Sequence, residues 1–172
     1  MNCARCNLQL NPNSRRVLMG RIFTKSGKLL LRFSGPLTAI NWDRVDLSGA
    51  ELGGLDLKGA YMWKSHLRNA DLESADLYWA ILSSSDLSYA NLQGSNLCGS
   101  NLSFADLQWA NLTGADLRPN NLSQPTDLRG ACLYGANLTG AKLLSALYSS
   151  ETQFPSGFDP ILNGMLLKES DD

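Results

Sequence analysis

Three observations predict an all-β solenoid for this chain of 172 residues. Every fifth residue from Leu47 to Leu122 is leucine or methionine, the residue two positions earlier is small in nearly every unit, and Asp or Asn commonly stands between them. A period of five drifts around a helix, whereas residues two apart point the same way in an extended chain. Each unit is therefore expected to be extended, with its leucine inside, and to end in a polar or glycine-containing turn. Repeats of this kind stack into a solenoid.

Residues 1–39 precede the repeats and are predicted to form a basic N-terminal cap. The runs VLMGRIF and KLLLRF flank TKSG, which is typical of a β-hairpin. Their apolar side chains need a surface to cover, and the open end of the first coil offers one. Residues 1–42 hold seven basic residues and no acid, whereas the rest of the chain holds 16 acids and eight bases. The molecule is therefore predicted to be a basic head on an acidic rod.

Residues 40–145 carry the repeats, and the units ADLES, ANLQG, ADLQW and ANLTG fit the consensus A(D/N)LXX. This segment resembles the pentapeptide repeat family. The resemblance implies a right-handed quadrilateral β-helix in which four pentapeptides form one square coil, so that roughly twenty units give about five coils. The family resemblance, and not the spacing of the leucines, supplies the handedness and the number of sides.

One extra residue interrupts the period at residues 123–126. Proline cannot donate a ladder hydrogen bond, so Pro125 is expected at a corner, in a bulge. The unit of Leu128 would then occupy the side that follows the side of Leu122.

Residues 146–172 are predicted to close the rod with a short helix. Asp159 and Pro160 are typical N-cap and first-position residues, so a helix is expected to follow through about Lys168. The segment TQFPSGFDP resembles the TxFPxGFDP tail of many cyanobacterial pentapeptide repeat proteins, which lies at the C-terminal end of the coil.

Few residues indicate catalysis or metal binding. Cys3 and Cys6 form a CxxC pair, for which a zinc site, a redox pair and plain thiols all stay open. Cys98 and Cys132 occupy outward positions on different sides and cannot complete a zinc site. His66 is expected in solvent, with no carboxylate beside it to orient it. The Asp residues belong to the repeat, so we expect no enzyme, no metal and no cofactor.

When successive units are assigned in turn to the four sides, the residue types at the outward positions differ between the sides. The fourth side collects the units of Met62, Leu82, Leu102, Leu122 and Leu143 and carries no acid. An apolar patch with a polar rim is typical of a contact surface. Either a protein partner or a second copy binds this side, or residues 1–39 fold over it.

The candidate interaction surface on this side consists of Tyr61, Trp63, Trp79, Ile81, Phe104 and Leu144. Tyr89 and Trp109 share a column on the first side, one coil apart. We expect these two rings to stack and to offer a possible second contact.

The predicted function is a non-catalytic protein-interaction or scaffold module that binds an unknown protein partner through the fourth side. The family resemblance adds two alternatives: a DNA mimic that binds or protects DNA gyrase, which requires a longer and more acidic rod, and a regulator of cyanobacterial cell differentiation. Without a secretory signal or membrane-spanning run, a cytoplasmic location and no membrane contact are expected. Direct nucleic-acid binding is not expected, because the acidic rod opposes it. The sequence leaves the oligomeric state open.

Overall fold

The computed structural model describes residues 19–169, and pairing between extended segments dominates this part of the chain. Strands β1 (Met19–Phe23) and β2 (Leu29–Ser34) come first, and β3 (Leu147–Tyr148) and β4 (Leu166–Leu167) come last. Parallel bridges between single residues connect the chain from residue 41 to residue 153. No helix occurs among residues 19–169.

The chain between β2 and β3 coils on itself with a step of twenty residues. Tyr61 bridges Ile81 in parallel, and Ile81 bridges Asn101. We call each step a coil and each series of bridges along the rod a column. Columns 1, 2, 3 and 4 begin at Asp46, Glu51, Asp56 and Asn41, respectively.

The repeat itself fills the core and satisfies its polar groups. The leucine of each unit is buried, apart from Leu122 and the half-buried Leu138, and most of the small residues two before it are buried too. Where that small residue is serine, its hydroxyl donates to the carbonyl three residues earlier, as Ser85 Oγ does to Leu82 O at 2.6 Å. The Asp or Asn before leucine accepts a hydrogen bond from the backbone N–H two residues later, as in an Asx turn. The many acids and amides therefore have a structural role.

Each unit turns a corner at the residue two positions after its leucine. This residue has a positive φ, for example 64° at Gly94, 56° at Ser84 and 58° at Trp79. The next N–H closes the turn on the carbonyl of the leucine, as Ala80 N does on Leu77 O at 3.0 Å. Glycine adopts such a φ freely, whereas most other L-residues lose about 1–2 kcal/mol there.

The predicted one-residue bulge at residues 123–126 is wrong, because Pro119 stands at a corner. Asn101 bridges Asp127, which is a step of 26 residues instead of twenty. Proline has a φ fixed near −65° and no N–H. Gly99, at the same corner one coil earlier, has a φ of 66° and donates to Arg118 O. The unit of Leu122 is consequently extruded, and we call residues 119–125 the extruded loop.

The N-terminal hairpin covers the first coil. β1 and β2 pair as antiparallel strands. Ile22 is buried in the core, and Phe23 O accepts a hydrogen bond from Glu51 N at 2.8 Å. Lys25 Nζ lies 3.5 Å from Asp71 Oδ2 on column 2. The predicted CxxC pair lies outside the described residues.

The predicted C-terminal helix is wrong, although its N-cap contact is formed. Asp159 Oδ1 accepts hydrogen bonds from the backbone N–H groups of Ile161 and Leu162 at 2.8 and 3.0 Å. The turn stops at Gly164, which has a φ of 72°. β4 then pairs in parallel with β3, so the ladder continues where the helix was expected. The two phenylalanines of TQFPSGFDP stack at 5.1 Å and pack against the core at this end.

Candidate interaction surface

Column 4 corresponds to the predicted fourth side, but it is not free of acids. Asp43 and Asp127 lie near its two ends. Asp43 Oδ1 accepts a hydrogen bond from Trp63 N at 2.8 Å, and Asp127 Oδ2 lies 2.7 Å from the guanidinium of Arg129. Between these two acids, residues 61–64, 81–84 and 101–104 contain none. We call these three segments, together with Trp79 at their edge, the aromatic strip.

Most of the predicted surface residues lie on the aromatic strip. Tyr61, Trp79 and Phe104 are exposed to 45%, 58% and 55%, and Ile81 is half-buried beside Trp79. Trp63 is also half-buried, because two cations cover it. Arg44 Cζ and Lys64 Nζ lie 4.7 and 4.5 Å from its ring centroid. Trp63 therefore holds two positive charges at the surface instead of offering a free ring.

Leu144 does not lie on column 4. Lys142 bridges Asp116, which places the unit of Leu143 on column 3. The wrong placement follows from the extruded loop, which moves every later unit back by one column. Leu144 is exposed, but it lies at the C-terminal end, where Ser145 N donates to Gly164 O at 2.7 Å.

The predicted stack of Tyr89 on Trp109 is not formed, although the two residues do share column 1. The Trp109 ring meets Tyr134 edge to face, with centroids 5.5 Å apart. A Cβ atom added at Gly135 would lie 2.4 Å from the Trp109 ring, so this ring leans over Gly135 and away from Tyr89. Arg68 Cζ lies 4.6 Å from the Tyr89 ring centroid instead.

Four aromatic residues stand at corners where glycine would be unstrained. Trp79, Tyr89, Phe104 and Trp109 have φ values of 58°, 59°, 56° and 59°. A bulky residue with positive φ is a conformational outlier, and such outliers cluster at functional sites. The sequence shows these aromatic residues at the position two after a leucine. Their strain can be recognised only once that position is known to have a positive φ.

A groove lies beside Trp79 and was not predicted from the sequence. It measures ≈ 200 Å³ and runs between Trp79 and Ile81 on one side and Gln124 and Pro125 of the extruded loop on the other. Buried Thr126 fixes the base of the loop. Its hydroxyl donates to Leu97 O at 2.9 Å and accepts from Gly99 N at 3.0 Å.

A second cleft of ≈ 440 Å³ lies on column 3, between Tyr78, Asp116 and the extruded loop. The hydrogen bond from Arg118 to Asp116, at 2.7 Å, holds the pKa of this carboxyl well below its usual range. Burial, helped by the hydrogen bond to Asp116, raises the pKa of the Cys98 thiol to about 11. The cleft therefore presents an ion-paired carboxylate and a protonated thiol, neither of which is an activated nucleophile.

His66 has carboxylates beside it, contrary to the prediction. It bridges Asp46 and Asp86 in column 1 and is exposed. Among residues 19–169, no cluster of His, Cys, Asp and Glu is suited to a metal ion.

Comparison with known proteins decides the family. A profile described as pentapeptide repeats matches eight copies, over residues 50–88, 80–118 and 126–143, which is just over half of the chain. The chain belongs to the pentapeptide repeat family. The stretch between the last two matched ranges contains the extruded loop, so the break in this pentapeptide repeat protein coincides with a break in its ladder. No curated protein sequence matches the chain.

Several solved structures are similar to this pentapeptide repeat protein. HetL, involved in heterocyst differentiation regulation in the cyanobacterium Nostoc sp. strain PCC 7120, is 36% identical over 65% of this chain and 48% of HetL, with a TM-score of 0.62. The protein alr5209 from Nostoc PCC 7120 is 43% identical over 66% of this chain and 84% of alr5209, with a TM-score of 0.47. Rfr23 from the cyanobacterium Cyanothece 51142 is 33% identical over 66% of this chain and 63% of Rfr23, with a TM-score of 0.35.

This chain thus spans about half the length of HetL. In the part of the chain that the structure describes, no helix has the length and apolar character needed to cross a membrane.

Proposed function

We propose that this pentapeptide repeat protein is a non-catalytic interaction module that binds a protein partner through the aromatic strip. The observation that carries the proposal is the pair Trp79 and Phe104, which are more than half exposed at corners where their backbone is strained. The scaffold that we propose for this role is the right-handed quadrilateral β-helix that the repeat resembles, with one column on each side.

The surroundings of the aromatic strip support this role. Aromatic residues are enriched at the core of protein interfaces, and side chains that are already held in place lose less entropy on binding. The ladder holds the backbone under both residues, since Trp79 N donates to Cys98 O and Phe104 N donates to Arg129 O. A non-catalytic role is supported by the ion-paired Asp116 and the protonated Cys98 in the cleft of column 3.

The first test removes the two rings. In a pull-down from the native cells, the full chain with Trp79→Ser and Phe104→Ser is expected to lose a partner that the wild type retains. The matched control is Tyr134→Ser, since Tyr134 is similarly exposed but lies on column 1. Thermal unfolding checks that each variant folds. If the double variant and the control retain the same partners, the aromatic strip is not the binding surface.

Similarity to HetL supports a compatible second candidate, namely regulation of cyanobacterial cell differentiation. Expression of the chain in a heterocyst-forming cyanobacterium is expected to change the heterocyst pattern, and the Trp79→Ser, Phe104→Ser variant is expected to leave it unchanged. An unaltered pattern with the wild-type chain would count against this candidate. The gyrase alternative is not proposed, because columns 3 and 4 lack the net negative charge that a DNA mimic requires.

A further inference from the structure

We infer that the partner of the aromatic strip is an acidic protein segment with one apolar anchor residue. The anchor would enter the groove beside Trp79, and the acidic residues would meet Arg44, Lys64 and Arg68. This inference rests on the proposed function and specifies the chemistry of the partner.

Three cations line one edge of the aromatic strip, and aromatic rings fix their positions. Arg44 and Lys64 occupy the same corner of column 4 in successive coils, and both lie against the ring of Trp63. Arg68 follows on column 1, against the ring of Tyr89, and its Nη1 donates to Ser88 Oγ at 2.7 Å. None of these three cations forms an ion pair with any residue in 19–169. Their charges are therefore available to a partner.

Over residues 41–131, which include the aromatic strip, column 4 is the column on which basic residues outnumber acids. There it carries Arg44, Lys64 and Arg129 against Asp43 and Asp127, and Glu151 follows only in its last unit, which begins at Leu147. Column 1 has three acids and one arginine, column 2 has three acids and no base, and column 3 has three of each. Complementary charge steers a partner and selects among partners. An acidic segment is attracted to column 4 and to Arg68 at its edge, and it is repelled by column 2 and by the acids of column 1.

The other possible occupants of the strip fit less well. Residues 1–18 contain three arginines and no acid, so the N-terminal segment of this chain has the wrong charge. A second copy would offer column 2 as its most acidic face, and the outward residues of column 2 in the middle of the rod are glycines, amides, acids and small hydroxyl residues, which supply no apolar anchor. Column 1 of a second copy has exposed rings beside its acids, but it also carries Arg68, which the cations of the strip repel, so self-association is an outcome that the test below separates.

The spacing of anchor and charges sets the pattern of the segment. The corner of the Ile81 unit lies three residues after Ile81, which is a distance of about 10 Å in an extended chain. The next coil lies about 4.8 Å away. An extended segment that places Leu, Ile or Phe in the groove therefore reaches Lys64 with an acidic residue three or four positions away, and Arg44, one coil further, with one about four or five positions away.

The test uses three pools of fluorescein-labelled peptides, each about twelve residues long, which is enough to cross the strip. The first pool carries Leu, Ile or Phe among Asp and Glu, the second carries the same anchors among Lys and Arg, and the third carries Asp and Glu among Ser and Gly. Selection on the immobilised full chain is expected to enrich the first pool alone. Raising the salt from roughly 50 to 300 mM is expected to weaken binding of the selected peptide several-fold.

Variants of the full chain then locate the charges. Arg44→Glu with Lys64→Glu is expected to weaken binding of the selected peptide by about tenfold or more. Lys58→Glu on column 3 is the matched control and is expected to change affinity by less than about twofold, because Lys58 pairs with Asp76 on another face.

Two results of the peptide assays would overturn the inference: enrichment of the basic or the anchor-free pool, and peptide binding that Arg44→Glu with Lys64→Glu leaves intact. If the cellular partner is lost with Trp79→Ser and Phe104→Ser but retained with the charge reversal, the proposed function stands and this inference fails. If self-association through column 4 blocks the strip, the occupant is a second copy and the inference also fails.

Discussion

At the scale of single residues, the corner position of each unit couples stability to surface chemistry. The fold needs a positive φ there, and glycine provides it without strain. Where the corner instead carries Lys64, Trp79 or Phe104, the chain accepts a cost of about 1 kcal/mol or more per residue. These residues are therefore the ones whose side chains need an explanation beyond folding.

The corner strain can be measured at corners that carry neither an aromatic ring nor a charge. Ser84→Gly is expected to raise the free energy of unfolding by about 1 kcal/mol, because exposed Ser84 has a φ of 56°. Gly94→Ala is expected to lower it by a similar amount, since Gly94 has a φ of 64° and only ordinary contact with Ser74 Oγ at 3.6 Å. Denaturant midpoints measure both. Equal stability in the three proteins would show that corner φ carries no cost.

Asp116 gives a second prediction, for acid pH. Its pKa is lowered in the folded chain by the hydrogen bond from Arg118, so it stabilises the fold above the ordinary Asp pKa of about 4. This stabilisation is lost as the pH falls towards the lower, folded pKa. Asp116→Asn is expected to flatten the loss of stability below about pH 4, as measured by denaturant midpoints. Glu151→Gln is the exposed control, and an equally steep loss in both variants would contradict this assignment.

At the scale of elements, the extruded loop shows where local patterning is insufficient. Asn121, Leu122 and Gln124 fit a normal unit by residue type. The preceding Pro119 excludes the corner that this unit would need, and Thr126 takes the inward position of the next unit. Asn120 folds back beside Gly99, and its Oδ1 accepts from the N–H groups of Leu122 and Gln124.

The anchor of the loop can be tested with a nearly isosteric change. Thr126→Val is expected to lower the free energy of unfolding by about 1–3 kcal/mol, because two buried hydrogen bonds are lost. Thr126→Ser keeps the hydroxyl and is expected to retain most of the stability. Thermal and denaturant unfolding compare the two variants. Equal losses would indicate that the Thr126 methyl group, and not its hydroxyl, holds the loop.

The sequence predicts much of the element structure, and the exceptions have physical causes. The strict leucine period predicts the stacked units, and the two apolar runs around TKSG correspond to β1 and β2. The predicted C-terminal helix does not form. The backbone hydrogen bonds between β4 and β3 stabilise a strand more than the N-cap of Asp159 stabilises a helix. The predicted placement on the fourth side holds for Tyr61, Ile81 and Phe104, which precede the loop, and fails for Leu144, which follows it. That these residues bind a partner stays a prediction.

At the scale of the whole molecule, the rod is a linear array in which each coil contacts its neighbours. Buried leucines form one continuous core along it. Ile22 from β1 closes this core at the N-terminal end, and Phe154 and Phe158 pack against it at the other. In such arrays the terminal elements protect the coils beside them.

Loss of the N-terminal cap is therefore expected to act locally first. Ile22→Ala is expected to cost about 2–5 kcal/mol and to accelerate amide hydrogen exchange in residues 41–56 more than in residues 91–116. Ile161→Ala, at an exposed position, is the control and is expected to change stability by less than about 0.5 kcal/mol. Uniform acceleration along the rod would show that it opens as a single unit.

The extruded loop also affects how relatives can be compared. It takes one whole pentapeptide and one further residue out of the ladder. Because the extruded pentapeptide still fits the repeat pattern, the sequence shows an insertion of only a single residue. If the chain is aligned with a relative that lacks the loop, and only this single-residue gap is opened, every later residue is paired with a residue on a neighbouring face of the relative. Surface residues transferred by homology, or chimaeras joined within residues 119–125, would then present their C-terminal contacts in the wrong direction.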